Sequence, residues 1–212
     1  MKILPANVET YLVAAEIIRR GGVIAFRTDT FYGLGADPFN RIAVSHVTNI
    51  KGRDDGKPIL LLLADKSDLD RVIKDRSPLF EQVVSSFWPG PMTIVASATD
   101  ALPDEITAST GTVGVRLPDD PAARSLVRNC GGVLTATSAN LAGHPPSRSA
   151  AEVESEFSTG TGIALIIDSG EVSATKPSTV LSVTESEPRL IREGVITQEA
   201  IERALGLTLN RF

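Results

Sequence analysis

A single α/β domain with a mixed sheet is predicted by three observations. Short, β-branched apolar runs alternate with amphipathic helical segments along most of the 212 residues. The runs after Ile163 follow one another too closely for crossover helices, so parallel and antiparallel pairs must coexist. No internal repeat, low-complexity tract or Pro/Ser-rich linker divides the chain, so one domain is expected over residues 1–212.

The elements follow in order. Asn7 caps a first helix with Val8, Tyr11, Leu12, Ala15 and Ile18 on one face, and Gly21-Gly22 stops it. Val23 to Phe26 reads as a buried strand. It delivers a polar loop, Arg27-Thr28-Asp29-Thr30, and the glycine-bearing Gly33-Leu34-Gly35 at the strand's carboxyl end, where open α/β sheets bind ligands. Helical spacing resumes from Asn40 through Ile42, Val47 and Ile50, then runs into Lys51-Gly52-Arg53-Asp54-Asp55-Gly56-Lys57-Pro58 before a strand at Ile59 to Leu63. Ser77-Pro78 opens a helix with Phe80, Val83, Val84 and Phe87 inward. Strands are expected at Met92 to Ala96 and Val113 to Leu117. Asp120-Pro121 starts a helix ended by Gly131-Gly132, and Val133 to Ala136 leads into Thr137-Ser138-Ala139-Asn140. A capping box from Ser149 to Glu152 opens another helix. Strands at Ile163 to Ile167, Thr179 to Val183 and Arg189 to Ile191 precede a last helix capped by Thr197, with Ile201, Ala204 and Leu205 inward.

Composition narrows the function. A hydrophobic fraction of 42% with 22% charged residues is that of an ordinary globular protein, which argues against disorder. The formal net charge of -5 disfavours a surface that grips nucleic acid by broad phosphate neutralisation and leaves room for a local basic pocket. One cysteine and two histidines cannot build a Cys/His zinc cluster or an internal disulfide; Cys130 is read as a small core residue. Met1-Lys2 leads to Pro5 without the apolar run of a secretory signal, and Ile59 to Ala64 is far too short to span a bilayer, so a cytoplasmic protein with no membrane contact is expected.

Common signatures fail. Gly52 to Lys57 is one residue short of a P-loop, has Pro58 in place of Ser/Thr, and follows a helix. Gly33-Leu34-Gly35 lacks the third glycine of a dinucleotide fingerprint. What remains is a set of polar strand ends rich in cations and hydroxyls: Thr28-Asp29-Thr30, the Lys51/Arg53/Lys57 loop, Arg116, Ser138-x-Asn140, Ser178-Thr179 and Arg192. Lysine as a point charge and arginine as a planar fork suit a polyanionic ligand. Asp29 is assigned an Asx-type turn, Trp88 a core plug, and His46 and His144 surface or packing roles.

Eight fragments in order carry a resemblance: Thr28-Asp29-Thr30-x-Tyr32-Gly33-Leu34-Gly35, Lys51-x-Arg53, Lys57-Pro58, Pro89-Gly90-Pro91-x-Thr93, Val115-Arg116-Leu117-Pro118, Ser138-Ala139-Asn140, Pro177-Ser178-Thr179-Val180 and Ile191-Arg192-x-Gly194. Together they resemble the YrdC-like family of threonylcarbamoyl-AMP synthases in its short, single-domain form. The resemblance implies a twisted mixed sheet flanked by helices around a large, concave, basic cleft. It also implies that L-threonine, bicarbonate or CO2 and ATP form threonylcarbamoyl-AMP and pyrophosphate, with Mg2+ accompanying ATP. The product would pass to a downstream tRNA threonylcarbamoyl transferase complex, tRNA contact by this chain being weak or indirect. Carried over, Lys51 and Arg53 are the catalytic cations; Lys51, Arg53, Lys57, Thr112, Asn140 and Arg192 bind ATP; and Thr30, Arg116, Ser138 and Ser178 bind threonine. Three positions differ from the family pattern: Arg27 and Thr137 stand where proline is common, and Leu62 where many members have a histidine that reaches the threonine site. The alternative reading is a nucleotide- or RNA-binding module of the same fold without this catalysis.

Overall fold

The computed structural model describes residues 1–52, 56–158 and 162–209. Its strands are β1 (Lys2–Pro5), β2 (Val23–Arg27), β3 (Tyr32–Gly35), β4 (Leu61–Leu63), β5 (Met92–Ser97), β6 (Thr112–Arg116), β7 (Val133–Thr135), β8 (Thr137–Ser138), β9 (Ile163–Asp168), β10 (Thr179–Ser182) and β11 (Arg189–Arg192). Its helices are α1 (Val8–Arg19), α2 (Arg41–Ile50), α3 (Pro78–Phe87), α4 (Asp104–Thr107), α5 (Pro121–Asn129), α6 (Ala150–Glu156) and α7 (Gln198–Leu205), with one 3-10 turn at Lys66–Arg71.

The mixed character expected of the sheet is found, divided between two sheets. The first runs β1-β9-β2-β3-β8 and the second β11-β10-β5-β6-β4-β7. Parallel pairs (β1 with β9, β9 with β2, β10 with β5, β4 with β6) coexist with antiparallel ones in both. Asn7, Ser77, Thr197 and Ser149 each accept a backbone N–H as helix caps, as their positions predict. Gly21 at φ +78° ends α1 in a conformation that other residues rarely adopt.

Three helix faces are rotated from expectation. Tyr11 and Ile18 are buried on α1, but Ala14 and Thr10 complete the inward stripe while Val8 and Leu12 face solvent. Ile42 on α2 and Ala204 on α7 are likewise exposed. Three strands that sequence patterning missed are β1, which pairs with a partner about 160 residues away, β3, whose two glycines give it little intrinsic strand preference, and the two-residue β8, which pairs with β3.

Three apolar clusters hold the layers together. One lies between the second sheet, α3 and α7, with Phe80, Met92, Ile94, Val113, Val115 and Ile201 at its centre. A second joins the first sheet to α2 and α6. The third packs α1 and α5 against Ile24, Phe26, Leu165 and Ile167 of the first sheet and Leu62 and Leu134 of the second, and so fixes one sheet against the other. Trp88 is a core plug as expected: it is buried, its Nε1 donates to Met92 O at 2.7 Å, and it meets Phe80 edge-on at 6.3 Å.

Candidate active site

The alternation of β6 builds the site's floor. Val113 and Val115 point into the core, so Thr112, Gly114 and Arg116 point the other way, toward the first sheet. Thr93 and Val95 of β5, Ser178 before β10 and Val180 within it join them. Opposite stand Thr28, Thr30, Phe31, Tyr32, Gly33, Thr137, Ser138 and Asn140. The cleft between them has a volume of about 960 Å³, room enough for a nucleotide together with a small acid. Gly114 keeps the floor low, because a Cβ there would stand 3.2 Å from Thr93 Cγ2.

Arg116 is 3% exposed and its fork is held from three sides. Nη1 donates to Thr30 Oγ1 at 2.9 Å, Nη2 donates to Thr28 Oγ1 at 3.2 Å, and Asp29 Oδ1 lies 3.5 Å from Nη1. Burial lowers its pKa and the Asp29 carboxylate opposes that shift. Its Nε–H has no hydrogen-bond partner among the described residues. The turn belongs to Thr28, not Asp29: Thr28 Oγ1 accepts from Thr30 N and Phe31 N, while Asp29 Oδ2 accepts from Asp119 N. The Asx-turn assignment for Asp29 is thereby corrected to that of a counter-ion.

Arg192 reaches the same cleft from β11. Its Nε and Nη2 donate to Ser178 O at 3.2 and 2.9 Å, and Nη2 lies 3.3 Å from Ser178 Oγ, which pairs with Thr93 Oγ1 at 2.9 Å. Although its residue surface remains accessible, desolvation by the cleft wall lowers its pKa, and the positive charge of Arg116 lowers it further. Gly194 explains the Ile-Arg-x-Gly pattern: a Cβ there would sit 2.1 Å from Pro177 O, so only glycine lets β11 end against Pro177-Ser178.

Lys51 closes the opposite wall. It is 4% exposed, and its Nζ donates to Ser138 O at 2.7 Å and Asn140 O at 2.9 Å, with Ser138 Oγ and Asn140 Oδ1 each at 3.4 Å. Its ammonium thus braces the Ser138-x-Asn140 turn from behind, beside a smaller recess of about 210 Å³ that it lines with Lys57. Lys57 and Thr112 line the main cleft as well. Arg53 lies outside the described residues.

Of the sequence-predicted residues, Thr30, Lys57, Thr112, Arg116, Ser138, Asn140, Ser178 and Arg192 share one cleft, and Lys51 touches it through Ser138 and Asn140. The three positions that differ from the family pattern fall apart structurally. Leu62 is fully buried in the inter-sheet cluster and does not line the cleft. Arg27 is engaged elsewhere, donating to Asp120 Oδ2 at 3.2 Å and Ser169 O at 2.5 Å. Thr137 does line the cleft. Sequence reasoning placed His144 at the surface; it is exposed but also forms part of the cleft wall, beside Pro145 and Pro146.

No group of three or more His, Cys, Asp or Glu side chains able to hold a metal occurs among the described residues. Among them, too, no helix is long and apolar enough to cross a membrane.

Known proteins share this architecture. A curated threonylcarbamoyl-AMP synthase of Bacillus subtilis is 38% identical over 194 residues, covering 91% of this chain and 56% of the relative. The crystal structure of Pyrococcus abyssi Sua5 complexed with L-threonine superposes with a TM-score of 0.91 at 34% identity, covering 99% of this chain and 61% of that one. Escherichia coli YciO superposes with a TM-score of 0.81 at 28% identity, over 92% of this chain and 95% of that one. The chain therefore spans little more than half the length of the first two proteins. The Sua5/YciO/YrdC family model, described as telomere recombination, matches residues 16–194, which contain both walls of the cleft, and the chain belongs to that family.

Proposed function

We propose that this chain is an L-threonylcarbamoyladenylate synthase, a nucleotidyltransferase that forms threonylcarbamoyl-AMP and pyrophosphate from L-threonine, bicarbonate or CO2, and ATP. The observation that carries this reading is the meeting of two arginines, Arg116 and Arg192, in one cleft with Ser178 and Thr93 between them. The positive charge of Arg116 adds to the desolvation that lowers the pKa of Arg192, and a site that holds two such cations together favours an anion between them. Support comes also from the named relatives and from the threonine complex of the similar Pyrococcus protein.

In this reading Thr30, Arg116, Ser138 and Ser178 receive threonine. The fork of Arg116, already oriented by Thr28 and Thr30, suits a carboxylate, and the small hydroxyls suit the substrate's own hydroxyl. Lys57, Thr112, Asn140 and Arg192 hold ATP, with Arg53 and Lys51 as the cations that complete the phosphate end. Threonine's amine nitrogen bonds to the carbon of CO2 and loses a proton to give a carbamate. A carbamate oxygen then bonds to the α-phosphorus as the bond to the β-phosphate oxygen breaks. Cations fixed before reaction stabilise the charge on departing pyrophosphate without reorganising. Mg2+ fits as a charge partner brought by ATP, since the described carboxylates offer no cage and this ion commonly keeps phosphate and water ligands. The adenylate would then pass to a tRNA-modifying transferase in the cytoplasm, so no extended tRNA surface is required here.

The test is pyrophosphate release from ATP and Mg2+ with and without threonine and bicarbonate. Release that needs both supports the reading; release indifferent to threonine sinks it.

A further inference from the structure

The segment from Ser138 to His144 is cross-braced more densely than a connecting loop requires. Asn140 Nδ2 donates to Leu141 O at 2.9 Å and to His144 O at 2.7 Å, so both hydrogens of its amide are engaged within the segment. Lys51 holds it from α2, as described. From the far side, a single carboxylate oxygen, Glu156 Oε1, accepts from Leu141 N at 2.8 Å and lies 2.7 Å from His144 Nδ1.

Glu156 is the last residue of α6. A carboxylate is disfavoured there, because the carbonyl end of a helix is already negative. Its side chain is nonetheless only 21% exposed, against 55% for His144. A residue that merely ended the helix would serve better as lysine or a neutral side chain. Of its two partners, His144 lies in the cleft wall and Leu141 directly follows the cleft residue Asn140.

We propose that Glu156 is a positioning residue for the nucleotide end of the cleft, acting through Leu141 N–H and the His144 imidazole to hold Asn140 in place. The proposal rests on the nucleotide reading given above. Without this carboxylate, Leu141 N–H loses its acceptor and the His144 ring its anchor. The His144 carbonyl then shifts, and with it the stronger of the two contacts that orient the Asn140 amide. The threonine end depends less on this brace, since Arg116, Thr30 and Ser178 are held by β6, the Thr28 turn and β10, and Ser138, at the start of the segment, is fixed by its pairing with Gly33 and by Lys51.

The experiment compares wild type, Glu156→Ala, Glu156→Gln and His144→Ala by calorimetric ATP binding, steady-state kinetics and thermal unfolding. Glu156→Ala is expected to weaken ATP binding about tenfold or more, as misplacing a ligand-contacting group does, with threonine KM changed less than about twofold. Glu156→Gln should recover most of that loss, because its side-chain carbonyl, in the place of Oε1, still accepts from Leu141 N–H and can accept from His144 Nδ1–H. His144→Ala should fall between. ATP binding by Glu156→Ala equal to wild type overturns the proposal, as does an equal loss at both substrates or the absence of rescue by glutamine. Should the alanine variant not fold, wild-type ATP affinity in His144→Ala overturns it in the same way. A wild-type chain that binds no ATP overturns the nucleotide reading and this proposal together, whereas unaffected variants of an ATP-binding wild type overturn this proposal alone.

Discussion

Asp29 Oδ1 stands 3.5 Å from Arg116 Nη1, and each of the two residues keeps a buried polar atom without a hydrogen bond among the described residues, Asp29 Oδ1 and Arg116 Nε. The pair is thus close enough to attract but incompletely satisfied: Arg116 Nε–H keeps a donor for an acceptor group, and Asp29 Oδ1 an acceptor for a donor group. Removing one partner leaves the other charge buried. Arg116→Ala should therefore cost about 3–5 kcal/mol of stability, and adding Asp29→Asn should return part of it. Arg116→Lys keeps the charge but cannot span Thr28 and Thr30 together, so threonine-dependent pyrophosphate release should fall about 100-fold or more while the chain stays folded. Urea unfolding and the pyrophosphate assay check the two halves separately.

Lys51 makes a different demand. Its ammonium lies under two backbone carbonyls, so Lys51→Met leaves Ser138 O and Asn140 O without their charged donor. A stability loss of about 2 kcal/mol is expected from such a buried charge-assisted contact. ATP binding should weaken with it, because the turn that carries Asn140 relaxes. Lys51→Arg should not restore wild-type affinity, since a planar fork is too wide for the place of one ammonium. Calorimetric titration with ATP distinguishes these variants.

These contacts show why part of the site was legible in the sequence and part was not. Caps and stops are local, so Asn7, Ser77 and Thr197 announce their helices from a few neighbouring residues. The cleft-facing stripe Thr112, Gly114, Arg116 is legible too, because alternation with Val113 and Val115 is the signature of a strand with one polar face. The turn of a helix about its own axis is not local: Leu12 and Ile42 fit an inward stripe by spacing, yet tertiary packing chose Ala14 and Ala43 instead. Nor could spacing reveal that Lys51 meets Asn140 across 89 residues, or that Glu156 reaches back to His144. Motif resemblance named the cation at Lys51; only the fold shows it turned toward the carbonyls of its own wall.

Gly194 gives the sharpest steric test. An added Cβ would lie 2.1 Å from Pro177 O and 2.6 Å from Ser178 C, and both are backbone atoms that cannot swing aside. Gly194→Ala should cost about 1–3 kcal/mol, typical of overpacking. It should also push Ser178 O away from Arg192 and raise the substrate KM, because Arg192 donates twice to that carbonyl. Arg192→Ala would lose the contact without the strain, so comparing the two variants by urea unfolding separates packing from charge.

Cys130 provides a pH test that avoids the cleft. Burial against the inter-sheet cluster pushes its thiol up to about 12 from an ordinary value of 9.0. Because the folded-state value is the higher one, the unfolded chain releases this proton first as pH rises. The stabilisation is fully present below about pH 9 and is lost between about pH 9 and 12, at up to about 1.4 kcal/mol per pH unit. Cys130→Ala removes the ionisable group, so its unfolding free energy should fall less steeply than wild type over that window. Native Cys130 should also react slowly with a thiol reagent at pH 7 and rapidly in denaturant, since the thiolate is the reactive form. Parallel slopes for the two proteins, or fast labelling of the native chain, would show the thiol to be open to solvent.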